Sequence, residues 1–211
     1  MPLSPDVLRK LRHAISPSRG EERLSLGEEL DAVLGGGLLR GAVVELASPL
    51  GRARSTSLAL AACAAAQRQA RLVGGHAWCA WIAPERTLFA PGVIARGVDV
   101  ERLLVVTPSR EMLPRIAVRV VKSRVFSVVV VDAAHVARVD ALSIAVRRLA
   151  LALEGSDCTV LLSTDLRAPR STQLPCAARI ELSRTERDRV ALRVAKDRFG
   201  RLGSGRVALG E

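Results

Sequence analysis

Four positions in this chain stand where a phosphate-binding loop carries its chemistry, and three of them hold a different residue type. The segment Glu45-Leu-Ala-Ser-Pro-Leu-Gly-Arg-Ala-Arg-Ser-Thr-Ser-Leu58 follows an apolar stretch, Ala42 to Leu46, and runs into another, Leu58 to Gln67. That is the strand–loop–helix setting of a G-x-x-x-x-G-K-[ST] loop. In such a loop the glycines let backbone N–H groups wrap the phosphates, the lysine reaches the β- and γ-phosphates, and the hydroxyl holds Mg²⁺. The four positions read Ser48, Ala53, Arg54 and Ser55, with Thr56 as a second hydroxyl. Ser48 and Ala53 bring Cβ atoms to places that need positive φ or close phosphate approach. The broad, planar guanidinium of Arg54 differs in shape from a compact ammonium. The expectation is a loop that no longer supports NTP hydrolysis, with no cofactor. Cys63, Cys79, Cys158 and Cys176 are widely spaced, and His13, His76 and His135 do not join them at metal-ligand spacing. Buried thiols in a reducing compartment, and no metal site, are expected.

The elements around these residues come from an apolar, strongly basic chain of 211 residues with a formal charge of +11. That length suits one large domain, or one with a short extension. No apolar run approaches the roughly 18 residues that span a bilayer, and no basic–apolar–cleavage pattern opens the chain. A soluble cytoplasmic protein is the expectation. The charge suits a polyanion or an acidic partner, although arginine and alanine abundance also follows from a GC-rich genome. The aromatic residues are only Trp78, Trp81, Phe89, Phe126 and Phe199, which argues against a base-stacking platform.

Val7, Leu8, Leu11 and Ile15 share one face of a short amphipathic helix, after which Ser16-Pro-Ser-Arg-Gly20 breaks the chain. Residues 1–23 are read as a helix and linker, and 24–211 as the main domain. A second helix is expected over Leu24–Leu34, closed by Gly35-Gly-Gly37. Strands are expected at Ala42–Leu46, Ala77–Ile82, Leu103–Val106, Val125–Val131 and Thr159–Ser163. Helices are expected at Ser55–Gln69, Leu88–Ala95, Met112–Lys122 and Val139–Glu154. Runs as apolar as Val125–Val131 suit strands buried on both faces. Their alternation with helices predicts an α/β fold with a mostly parallel, doubly wound sheet. Arg179–Arg184, Val190–Lys196 and Arg206–Leu209 then read as an antiparallel extension.

In this order the segments resemble the RecA recombinase core, a P-loop NTPase fold, over roughly Leu24 to Leu209. Leu30-Asp-Ala-Val-Leu-Gly-Gly-Gly-Leu-Leu-Arg-Gly-Ala-Val-Val-Glu45 resembles the family's approach to its phosphate loop, and Ala95-Arg-Gly-Val-Asp-Val-Glu-Arg-Leu-Leu104 the segment before a core strand. Val128-Val-Val-Val-Asp132 is similar to the strand whose acid helps hold the Mg²⁺ hydration shell. The resemblance implies that Glu85, in Ala80-Trp-Ile-Ala-Pro-Glu85, takes the place of the water-activating glutamate, and that Asp165 replaces a sensing glutamine. Glu85 and Asp132 are read as ancestral remnants rather than working catalytic groups. The family's two DNA loops would fall at about Ala133–Asp140 and Leu166–Pro175; both are short, and the second carries Arg167 and Arg170.

A degenerate chain of this kind resembles most the ImuA-type proteins. The resemblance implies a non-hydrolysing adaptor in damage-induced translesion synthesis, with an ImuB-like Y-family polymerase homologue and RecA as partners. Self-association and DNA contact through the basic surface are further implied possibilities, and no membrane is involved. The alternatives are a weak ATPase or DNA-binding RecA paralogue that modulates recombination, and a SulA-like division inhibitor. Val7, Leu8, Leu11 and Ile15 either pack on their own core or dock on a RecA-fold subunit. Arg115, Arg119 and Lys122 share one side of the helix predicted at 112–122, as a solvated face or as a patch for phosphates or an acidic partner. The arginine-rich strands after Arg184 offer an edge for strand addition or an ordinary protected edge.

Overall fold

The computed structural model describes residues 22–49, 55–85, 88–135, 139–167, 173–185 and 189–208, with backbone alone at 139–141 and 184. The helix predicted at residues 7–15 lies outside these residues. So do Ala53, Arg54 and Arg170.

An eight-stranded sheet forms the centre. Its first strand in the chain, β3 (Ala42–Ser48), is buried at every residue. It is sandwiched between helical layers, so its apolar run need not alternate with polar residues. β3 is followed by α2 (Ser55–Leu72), β4 (Trp78–Ile82), α3 (Ala90–Ala95), β5 (Leu103–Val106) and α4 (Leu113–Lys122). Next come β6 (Phe126–Asp132), α5 (Val139–Ala152), β7 (Thr159–Asp165), β8 (Ala178–Arg184), β9 (Arg189–Asp197) and β10 (Ser204–Ala208). The spatial order is β10-β9-β8-β3-β7-β6-β4-β5. Pairing is parallel from β8 through β5. The antiparallel extension expected from the sequence begins between β8 and β9.

Side chains alternate between two cores, as the two-residue period of a strand requires. Val44, Leu46, Val128, Val130 and Leu161 face one layer with α2, whose alanines and Cys63 let the helix approach closely. Val43, Val129, Val131, Val160 and Leu162 face the other, with α4 and α5.

The helix predicted over Leu24–Leu34 is shorter than expected. Arg23–Leu24 form a two-residue strand, β1, paired with β2 (Leu38–Leu39), and the helix, α1, covers Glu28–Leu34. The Asp31 carboxylate accepts hydrogen bonds from the Leu26 backbone N–H at 2.9 Å and from the Ser25 hydroxyl. Those bonds hold Ser25 and Leu26 outside the helix, a competition typical of short polar side chains. The expected glycine stop is present: Gly35 adopts φ 66° at the C-terminus of α1. At Gly37, a Cβ would lie 2.3 Å from the Leu24 carbonyl oxygen, so the β1–β2 contact requires glycine.

Candidate functional site

Parallel strands present their carboxyl ends along one edge of the sheet, the usual binding edge of an open α/β fold. β3 ends there at Ser48, β6 at Asp132 and β7 at Asp165. Glu85 follows three residues after β4. Register places Ser48 directly opposite Asp165, and Asp132 opposite Ser163. The Leu166 amide donates to the Ser48 carbonyl at 3.0 Å, which carries the β3–β7 pairing into the loops. The structure thus brings the described candidates Ser48, Ser55, Glu85, Asp132 and Asp165 to one edge.

Across the loop that leaves β3, the Ser48 hydroxyl donates to the Ser55 hydroxyl at 3.3 Å. Ser48 is buried, Ser55 half-buried and Thr56 exposed in the first turn of α2. The Asp132 carboxylate accepts from the Ala134 amide at 3.2 Å, and Asp165 accepts from the Arg167 amide at 3.0 Å. Both acids therefore shape the turns that follow their strands, as short carboxylates do. Glu85 has partners that the sequence did not announce. Arg110, beyond the end of β5, lies 2.5 Å from one carboxylate oxygen, and His135 Nε2 lies 3.8 Å from the other. The only cue was position, because β5 neighbours β4 and the residues after both strands meet at the same edge.

Beneath this edge runs a charged network with no sequence signature. Glu45, 1% exposed, accepts from the Thr164 hydroxyl at 2.7 Å and from the Arg179 guanidinium at 3.0 and 3.1 Å. Arg179 also donates to Glu181 at 3.1 Å, and Arg193 donates to the other Glu181 oxygen at 2.9 and 2.5 Å. The network ties together β7, β3, β8 and β9. Burial pushes the Glu181 carboxyl up, but the Arg193 and Arg179 contacts prevail and hold it below the ordinary glutamate range. The resulting stabilisation is full above the unfolded value of about 4.3 and is lost as pH falls through the lower folded value. Glu181→Gln is therefore expected to lower the melting temperature at neutral pH. The gap to wild type should close in acid, and a gap that stays constant between the two conditions would contradict this account.

Arg115, Arg119 and Lys122 are exposed on α4, whose buried side holds Leu113, Ala117 and Val121. They lie along the outer face of the α4–α5 layer as the chain runs away from the carboxyl edge, whereas Arg167 stays at that edge. Among the described residues, no three His, Cys, Asp or Glu side chains cluster as metal ligands. All four cysteines are buried and unpaired by disulfides, and burial pushes the Cys158 thiol up to about 12. No helix among the described residues is long and apolar enough to cross a membrane.

The RecA N-terminal domain model matches residues 21–145. The chain is similar to the RecA protein of Arthrospira platensis, with 36% identity over 156 residues, covering 65% of this chain and 41% of that protein. It is 39% identical over 104 residues to the RecA protein of Trichodesmium erythraeum, covering 49% and 27% of the two chains. With the RecA protein of a Picosynechococcus species it shares 34% over 156 residues, covering 65% and 43%. The chain spans less than half the length of these curated relatives.

Proposed function

This chain belongs to the RecA family, and from that premise we propose that it is a non-hydrolysing adaptor in damage-induced translesion DNA synthesis. It works by protein contacts, one with an ImuB-like Y-family polymerase homologue and another with RecA. The observation that carries the loss of hydrolysis is the state of the carboxyl edge. Ser48, where a phosphate loop needs glycine, hydrogen-bonds the Ser55 hydroxyl that would serve Mg²⁺. Glu85, where a water-activating base belongs, is paired with Arg110. Asp165 adds a carboxylate directly opposite Ser48, where a γ-phosphate would be repelled. Together these features weigh against hydrolysis of a nucleotide at this edge.

Purified protein is expected to hydrolyse no ATP above background, and Mg²⁺–ATP is expected to leave its melting temperature unchanged. Turnover that disappears in Asp132→Ala would instead establish an active ATPase, the reading favoured by retention of Glu85 and Asp132 at one edge. Partner binding is tested by pull-down from DNA-damaged cells, using the full chain and variants lacking residues 7–15 or the segment after Arg184. Unchanged recovery of RecA and of a Y-family polymerase homologue with both deletions would refute the roles assigned to those surfaces.

A further inference from the structure

On the sheet edge opposite the candidate site, a cavity of about 670 Å³ opens between the C-terminal half of α5 and the segment leading into β8. Ala150, Leu151 and Pro175 give it an exposed apolar lining over the buried Val43, Leu153 and Cys176, and among the described residues Arg40, Arg147 and Arg198 line it with one acid, Glu154. Leu151, 65% exposed, stands on the α5 wall one turn from Arg147. A leucine left this far in water contributes little to its own core.

The end of α5 is arranged to tolerate an anion. A helix C-terminus is negative and would repel one. Here, however, the Arg124 guanidinium donates to the Glu154 and Gly155 carbonyls at 2.9 and 3.1 Å. Arg40 is oriented by a 2.9 Å hydrogen bond to Gln69, and it also lines an adjoining cavity of about 310 Å³ with Arg124 and Ser156. Among the described residues two arginines and one acid, Asp157, line that second cavity, so a smaller excess of positive charge continues into it.

We propose that this groove docks an acidic peptide segment of a partner protein. Carboxylates of the segment face Arg40 and Arg147, beside Arg198, whose guanidinium lies over the Phe199 ring, and an apolar side chain seats against Ala150, Leu151 and Pro175. Charge complementarity selects an anionic occupant, and the apolar lining selects a peptide over a nucleic-acid backbone, whose phosphates would gain nothing from it. The inference rests on the adaptor reading only in making the partner a protein. The ATP assays above can succeed or fail without affecting it.

The test is fluorescence anisotropy with the full chain and three labelled probes. One is a short Asp/Glu peptide with two leucines, the second the same peptide with serines for leucines, and the third an oligodeoxythymidine of equal charge. The leucine peptide is expected to bind best. Arg147→Glu and Leu151→Asp, both at exposed positions and checked by thermal melting, are each expected to weaken it about tenfold or more. Arg115→Glu on α4 is expected to leave it unchanged. The proposal is overturned by absence of leucine-peptide binding, by equal binding of the serine peptide, or by indifference to Leu151→Asp. Oligonucleotide binding that matches the leucine peptide and depends on Arg147 alone would mark a nucleic-acid face instead.

Discussion

Glu45→Ala is expected to leave the Arg179 cation facing an empty, largely dry site and to destabilise the protein by about 3–5 kcal/mol, the usual cost of breaking a buried pair from one side. The Arg179 side chain is 14% exposed and makes two contacts to Glu45 and one to Glu181. Losing Glu45 also leaves the buried Thr164 hydroxyl without its 2.7 Å acceptor. The removed charge sits on the central strand, so no rearrangement of a surface loop can bring water to Arg179 easily. Chemical denaturation measures the loss directly. The double variant Glu45→Leu/Arg179→Met is expected to regain most of it, because an apolar pair avoids the desolvation that the ion pair bears. A single variant within about 1 kcal/mol of wild type would show that the network contributes little.

Asp197→Ala is expected to have a comparable effect at the far end of β9. Arg23 and Asp197 lie 2.6 Å apart with side chains 7% and 1% exposed. Arg23 also donates to the Leu34 and Gly37 carbonyls, each at 3.0 Å, so it closes the end of α1 onto the β1–β2 turn. Without Asp197, a buried guanidinium keeps two carbonyl acceptors but loses its counter-charge. The Phe199 amide loses its 2.7 Å acceptor as well. A loss of about 3–5 kcal/mol follows from the same reasoning. Hydrogen exchange should show the opening concentrated in residues 22–39 and around β9. Opening spread evenly over the sheet would argue against a local clamp.

What the sequence revealed and what it concealed divide along physical lines. The apolar runs that became β3, β6 and β7 were visible because strands buried on both faces need no polar residues. Helices α2 and α5 were visible as the longer apolar segments that alternate with these strands. The β1–β2 pair was not, since two-residue strands have no period to detect, and Ser25 and Asp31 displaced the expected helix start. In the candidate site, β6 and β7 run one and two residues further than expected, to Asp132 and Asp165, and Glu85, Asp132 and Asp165 were legible through the family resemblance of the segments that carry them. Their partners were not: Arg110 is 25 residues from Glu85, Thr164 is 119 from Glu45, and Arg179 is 134 from Glu45. Strand order decides which distant residues meet, and a single chain's local pattern does not encode that order.

The placement of β3 between β7 and β8 also governs how the protein can be made. Synthesis is vectorial, and the central strand emerges long before either neighbour, with its seven residues all destined for burial. The partner of Arg23 arrives 174 residues later. Throughout that interval β3 offers two unpaired edges and two largely apolar faces, the condition under which nascent strands aggregate. Low contact order is unattainable for this topology. Fragments that stop before β8 are therefore expected to accumulate as insoluble material, and the full chain to gain in soluble yield when chaperones shield its first half.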